Sequence, residues 1–258
     1  MVFVSVQNLT VNFTVYNDKL PSFKDYTLGL ISSKKYINHT KFRALNNVSL
    51  DINDGDRVGI IGKNGAGKST LLKTICKIYE PEIGLVLTKG TIAPLLEIGA
   101  GFHPEYSGRE NIHLNWSLLG YDKKAIDKYE REIIEFSEIH EFIDTPVKYY
   151  STGMYLRLGF SIATAINPDI LIMDEMFVGG DADFHQKASK RLDELIKSAG
   201  IMIFVSHDLG LIKKFCNKVV WIEKGKIKDS GKTSDILNNY NKRYFSNMDR
   251  KENITKNK

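Results

Sequence analysis

Cysteine is almost absent from the 258 residues: only Cys76 and Cys216 occur, both in apolar surroundings. Two such thiols exclude a disulfide scaffold and fit buried, reduced side chains in a reducing compartment. Long apolar runs are missing too. The longest candidates, Ile170 to Met173 and Ile201 to Val205, are strand-sized, well short of the roughly 18 residues a spanning helix needs. Met1 to Asn8 carry no basic region followed by an apolar stretch, so no secretory signal is expected and a cytosolic protein is. Neither sign of charge dominates: 36 Lys and Arg face 31 Asp and Glu, a net +5, among 42% hydrophobic residues. Such values exclude disorder and collagen, and the length suits one large domain or a domain with a subdomain.

The positive charge is concentrated. Between Asn17 and Arg43, Lys19, Lys24, Lys34, Lys35, Lys41 and Arg43 outnumber Asp18 and Asp25, with Phe23, Tyr26, Tyr36 and Phe42 interleaved. Read by itself, this stretch is either a solvated surface loop or a segment that rests on an anionic surface such as a membrane. Around it the patterning predicts strands over Val2 to Val6, Thr10 to Tyr16 and Ala44 to Ile52. A buried strand, Arg57 to Ile61, leads through a glycine-rich loop into a helix whose apolar face holds Leu71, Leu72, Ile75, Cys76 and Tyr79 and which Pro81 ends. From about Gly90 to Thr145 polar helices follow, the first opened near Asn111 by the capping-box pair Ser107 and Glu110. Beyond them the pattern predicts a helix over Met154 to Ile166, a strand Ile170 to Met173, a helix Phe184 to Ser198 and a strand Ile201 to Val205. A hairpin of Lys218 to Ile222 with Lys226 to Asp229 precedes a polar, loosely ordered tail. Alternating strands and helices indicate a parallel sheet covered on both faces. The expected organisation is residues 1–90 as the first part of a core, with a basic insertion at 17–43, 91–165 as a helical subdomain, 166–235 as the rest of the core and 236–258 as the tail.

Three stretches carry chemistry. Gly62, Lys63, Asn64, Gly65, Ala66, Gly67, Lys68, Ser69 and Thr70 match G-x-x-x-x-G-K-[ST], with a strand before and an amphipathic helix after. The glycines let successive N–H groups converge on phosphate oxygens, Lys68 neutralises β and γ phosphates, and Ser69 offers a hydroxyl to Mg²⁺. The strand Ile170 to Met173 ends in Asp174 and Glu175, at the carboxyl end where parallel sheets bind ligands. Asp174 suits Mg²⁺, and Glu175 suits accepting a proton from an attacking water. Ser206 and His207 end the next apolar strand in the same manner, and His207 is either structural or a contact to the γ-phosphate.

Tyr150, Ser151, Thr152, Gly153 and Met154, with Arg157 beyond them, resemble the signature motif of the ATP-binding cassette (ABC) ATPases, commonly Leu-Ser-Gly-Gly-Gln. Together with the phosphate loop, the Asp174 and Glu175 pair, a D-loop-like Asp181 and the switch histidine His207, the order of motifs is similar to that of an ABC nucleotide-binding domain over about residues 1–235. The resemblance implies an α/β fold: a RecA-like parallel-sheet core, an antiparallel β subdomain and an α-helical subdomain. It implies ATP and Mg²⁺ as cofactors and a homodimer that sandwiches two ATP molecules, each between one subunit's phosphate loop and the other's Ser151 and Gly153. Family members also stack an aromatic on adenine near the second strand, for which Phe13 and Tyr16 are both candidates. Ser151 also suits a helix N-cap.

Further stretches narrow the resemblance. Leu95 to Glu105, Tyr106 to Asn111 and Phe177 to Phe184, with the residues before Ala44, resemble the ATPase subunits of exporters for bacterial polysaccharides, O-antigens, capsules and teichoic acids among them. Such subunits work at the cytoplasmic face of the cell membrane with two polytopic permease subunits and export a polyprenyl-pyrophosphate-linked glycan. No nucleic acid partner is implied. Most ABC domains carry a glutamine before the helical subdomain; Glu97 stands there in this chain and is the candidate for its γ-phosphate sensing role. In that setting the basic stretch faces the permease and membrane, and the face of Gly99 to Glu110 docks a permease helix. Some larger relatives add a C-terminal carbohydrate-binding domain, and the residues after the hairpin are expected to be too few for one. Two other functions stay open: an ABC importer or small-molecule exporter, against which the 97–111 and 177–184 stretches argue, and a soluble ABC protein acting on ribosomes or DNA.

Overall fold

The computed structural model describes residues 1–16, 39–96, 98–174 and 182–243. Most of the basic stretch, residues 17–38, lies outside the described residues, as do Glu97, Glu175, Asp181 and the polar tail from residue 244. Residues 39–43 belong to a strand.

The chain opens with β1 (Phe3–Tyr16) and β2 (His39–Asn53), antiparallel partners that with β4 (Ile83–Lys89) make a three-stranded sheet in the order β2-β1-β4. Sequence patterning predicts two strands before residue 17, whereas β1 is continuous. The reason is a bulge. Asn8 adopts a left-handed φ of 50°, and the register with both neighbouring strands slips there. The extra residue changes the parity of the inward face, from Val4 and Val6 to Leu9 and Val11, so all four side chains stay buried.

The second sheet has the order β5-β6-β7-β3-β8-β9, from β3 (Arg57–Ile61), β5 (Ile92–Leu95), β6 (Ile170–Asp174), β7 (Ile201–Val205), β8 (Lys218–Glu223) and β9 (Lys226–Lys232). All neighbours pair in parallel except β8 with β9. Uninterrupted apolar strands are what a sheet covered on both faces requires. Ile170, Ile172, Ile201 and Ile203 pack towards α1 (Lys68–Ile75) and the three-stranded sheet, while Leu171, Met173, Met202 and Phe204 pack towards α5 (Ala182–Ser198), α6 (Leu209–Phe215) and a helix over 233–243. The open edge, β9, exposes Lys226, Lys228 and Lys232, charges that discourage pairing with another strand. Burial pushes the thiols of Cys76 and Cys216 up to about 12, so both stay protonated and inert, as the sequence predicts for buried thiols.

α1 stops earlier than its apolar pattern suggests. It ends at Ile75, not at Pro81, because Lys77 turns left-handed (φ 60°) and the N–H of Ile78 returns to the Lys73 carbonyl, closing the helix end. Tyr79 therefore belongs to the turn beyond it.

Three helices, α2 (Gly108–Leu118), α3 (Lys123–Ser137) and α4 (Thr152–Ala163), enclose a separate cluster that includes Trp116, Ile133 and Leu158. α2 starts at Gly108, earlier than expected, and α4 spans two residues before to three before its predicted limits. Thr164 ends α4, its hydroxyl donating to the Phe160 carbonyl at 2.7 Å. The capping box expected at the head of α2 is present. Ser107 Oγ accepts from the Glu110 N–H at 3.2 Å, and Glu110 Oε2 accepts from the Ser107 N–H at 2.8 Å. Ser107→Ala is expected to cost about 1 kcal/mol, lowering the thermal midpoint by roughly 2–4 °C in a chain of this size. Scanning calorimetry checks this, and an unchanged midpoint would remove the box as a source of stability.

Candidate nucleotide-binding site

Three strands of the parallel sheet, β3, β6 and β7, end on one side of the molecule, and the loops that follow them make the site. The loop after β3 is shaped by close approach. Gly62 has φ 151°, and a Cβ there would lie 2.2 Å from the Ile222 carbonyl oxygen on β8, so no side chain fits. Gly67 serves as N-cap of α1 without any side-chain cap, and the first turn holds no acid. The leading N–H groups of α1 thus lack the side-chain oxygen that normally satisfies them, which is the arrangement that receives an anion.

Lys68 is buried, and its Nζ donates to the carbonyls of Gly62 (2.9 Å) and Lys63 (3.2 Å), so the loop is folded around its own cation. Ser69 Oγ donates to Asp174 Oδ2 at 2.9 Å, joining the start of α1 to the end of β6 across 105 residues of sequence. His207 follows β7 and is exposed, and the helix after it is capped by Asp208, whose carboxylate accepts from the N–H groups of Gly210 and Leu211. Asn64, Gly65, Gly67, Lys68, Ser69, Thr70, Asp174 and His207 line one open cavity of about 510 Å³, within the range of small-molecule sites. Basic and glycine-rich on one wall, with a carboxylate and an imidazole on the other, the cavity suits a polyphosphate.

Ser151 and Gly153 are elsewhere. Ser151 is the N-cap of α4, its Oγ accepting from the Met154 N–H at 3.2 Å, and beside it Gly153 leaves the surface open. Both line a second cavity of about 460 Å³ with Glu138, Phe142 and Arg157, and none of the described residues lines both cavities. Ala66 is buried under the phosphate loop. Phe13 is half-buried, its ring edge-on to Tyr79 at 5.2 Å, and does not line the first cavity. The Tyr16 side chain, Glu97, Glu175 and Asp181 lie outside the described residues.

Sequence reasoning missed the contact between α4 and the loop after β5. Tyr155 Oη donates to the Gly99 carbonyl at 2.8 Å, and Gly159 lies so near that a Cβ on it would be 2.7 Å from the Gly99 nitrogen. A lone glycine inside a helical pattern was the available signal of such an approach.

Comparison with known proteins agrees with this geometry. The family model described as ABC transporter matches residues 45–178, just over half of the chain. The chain is 38% identical over 237 residues to the O-antigen export system ATP-binding protein RfbB of Klebsiella pneumoniae, covering 92% of this chain and 96% of that protein. It is 41% identical over 242 residues to the O-antigen export system ATP-binding protein RfbE of Yersinia enterocolitica, covering 92% and 100%. With the teichoic acids export ATP-binding protein TagH of Staphylococcus epidermidis it shares 41% over 239 residues, covering 93% and 88%. Among solved structures, an ATP-binding subunit of an ABC transporter superposes with a TM-score of 0.65 at 21% identity, covering 93% of each chain. A dimeric ATP-binding cassette bound to ADP and Pi does so with a TM-score of 0.63 at 20% identity, covering 89% of this chain and 98% of that one, and both likenesses concern the fold. With phosphate loop, strand-end carboxylate and signature helix in the family's order, the chain belongs to the ATP-hydrolysing, ATP-binding cassette family of ABC transporters.

Proposed function

We propose that this protein is the ATPase subunit of an exporter that moves a polyprenyl-pyrophosphate-linked polysaccharide across the cytoplasmic membrane. The observation that carries it is the similarity over nearly the whole length of relatives named for O-antigen export. Teichoic acid export is the second reading, favoured by the equally high identity to TagH.

In the proposed cycle Lys68 and the leading N–H groups of α1 hold the β and γ phosphates. Ser69 and Asp174 present two hard oxygen donors 2.9 Å apart, the chemistry Mg²⁺ takes. When bound there the ion neutralises charge between the phosphates. Glu175, next in sequence after Asp174, accepts the proton of the attacking water, and His207 holds the γ-phosphate side of the cavity. Ser151 and Gly153 serve the nucleotide of a second subunit, which is supported by their lining a cavity separate from the phosphate loop. Adenine stacks on Phe13 or Tyr16, Asp181 takes part in nucleotide binding, and Glu97 relays phosphate occupancy towards the permease.

No helix among the described residues is long and apolar enough to cross a membrane, and the proposal pairs the protein with a membrane-embedded permease. An apolar groove of about 500 Å³ between β5, α2 and α4, lined by Pro94, Gly99, Phe102, Trp116 and Leu118, is the proposed seat of a permease helix. Leu118, 70% exposed, is the kind of unsatisfied apolar surface that a partner covers.

Depleting the protein from its host and measuring polyprenyl-linked glycans by mass spectrometry tests the proposal. An inside-facing lipid-linked polymer is expected to accumulate, and its composition separates the two readings. An unchanged pool would remove glycan export and leave the ATPase.

A further inference from the structure

Glu138 is an unusual residue for its backbone. It caps the C-terminus of α3 with φ 58° and ψ 31°, the left-handed conformation that glycine or asparagine adopts most readily. Glycine would adopt this conformation with less strain. Instead a carboxylate projects between two helices. Its Oε1 accepts from Lys187 Nζ of α5 at 2.8 Å, and its Oε2 accepts from Arg157 Nη1 of α4 at 3.1 Å.

Both cations are held in other ways as well. Lys187 Nζ also donates to the Phe136 carbonyl at 3.0 Å and lies 4.6 Å from the centre of the Phe136 ring. The Arg157 guanidinium lies 5.1 Å from the centre of the Phe184 ring, and its side chain is only 17% exposed. Beneath them Phe136, Phe160 and Phe184, one from each helix, pack edge to face and stacked with centroids 5.9 to 6.2 Å apart. These ring contacts hold the three helices together with geometric preferences of their own, and the Glu138 carboxylate adds a polar tie between α4 and α5. The two hydrogen-bonded ion pairs at Glu138 are directional.

Arg157 lies four residues after Gly153, one helical turn along the same face of α4. Glu138 and Arg157 also line the cavity that Ser151 and Gly153 line. Fixing Arg157 therefore fixes the pitch of the face that carries the signature residues. α5, on the other side, is the helix that follows the stretch after Asp174.

We propose that Glu138 is a positioning residue: it locks the first turns of α4 to α5, so that Ser151 and Gly153 meet the second subunit's nucleotide at a fixed angle. This rests on the reading that Ser151 and Gly153 act across a dimer. The Glu138–Lys187 pair is partly exposed, at 43% and 36%, so it contributes little to folding stability, while Arg157, 17% exposed, keeps its contact with the Phe184 ring when the carboxylate is removed; the work of Glu138 is orientation.

The test uses the full chain carrying Glu175→Gln, which is expected to retain ATP. Glu138→Gln and Glu138→Gly are added separately, and Glu135→Gln serves as a control because Glu135 pairs only with Arg131 on the solvent side of α3 among the contacts seen. Three quantities are read: ATP affinity of the dilute single subunit, ATP-driven dimerisation by analytical ultracentrifugation, and the thermal midpoint without nucleotide. Both Glu138 variants are expected to weaken dimerisation on the order of 10- to 100-fold, as a misplaced binding group does. Single-subunit ATP affinity should match the control in both variants, and the thermal midpoint should match it in Glu138→Gln and not fall below it in Glu138→Gly, whose backbone is relieved. Glycine relieves the left-handed backbone while removing the carboxylate, so a purely structural role predicts no loss in that variant. Dimerisation equal to the control, or a lowered thermal midpoint with dimerisation intact, would overturn the inference alone. A Glu175→Gln chain that stays monomeric with ATP would overturn the dimer reading and this inference with it.

Discussion

Glu175→Gln is expected to lower steady-state ATP turnover on the order of 10²- to 10⁴-fold, the usual contribution of a general base. The substitution keeps the size of the side chain and one carbonyl oxygen but loses the basic oxygen proposed to take a proton from water. Nothing in the phosphate loop changes. Lys68 still lies against the Gly62 and Lys63 carbonyls, and Ser69 still reaches Asp174. ATP affinity should therefore be retained and the closed dimer should accumulate, because in the proposed cycle ATP drives closure and hydrolysis reopens it. Phosphate release measured with saturating ATP, beside sedimentation of the same sample, checks both halves. Turnover near that of the unaltered chain would remove Glu175 from the reaction, and His207 would become the group to replace next.

Lys68→Ala should act at the opposite step, weakening ATP binding about 10- to 100-fold as one or more charge-assisted hydrogen bonds are lost. Two effects combine. The variant loses the cation proposed to hold the phosphates, and it leaves the Gly62 and Lys63 carbonyls without the ammonium that draws the loop together. Arginine is not an equivalent replacement, because a planar fork cannot occupy the space of a compact ammonium inside the loop. Titration calorimetry with ATP measures the loss. Unchanged affinity would falsify the phosphate role of Lys68. The two variants therefore separate binding from chemistry: one should bind without turning over, the other should bind more weakly.

Much of this site was legible in the amino-acid order because its parts are local. A phosphate loop is one turn between a strand and a helix, and the glycines that make it possible lie within six residues of Lys68. The same holds for the capping box at Ser107 and Glu110 and for the buried strands Ile170–Asp174 and Ile201–Val205, whose continuous apolar character reports a sheet covered on both faces. Other features depended on partners distant in sequence. The bulge at Asn8 joins what reads as two strands, because its register is set by β2 and β4 and not by the residues on either side. The end of α1 is set by the left-handed Lys77, which no glycine or proline at that position announces.

The sequence by itself determined the class of chemistry, since cradling phosphate, supplying oxygen donors and placing an acid after a strand each need particular residue types at short spacing. Only the tertiary structure decided which side chains share a cavity. Ser69 meets Asp174 across 105 residues, Phe13 turns to Tyr79 instead of lining the first cavity, and Glu138 gathers Arg157 and Lys187 from two other helices. Such meetings follow from the order of strands in the sheet and the packing of helices on it, and those are settled by long-range burial that no local spacing encodes.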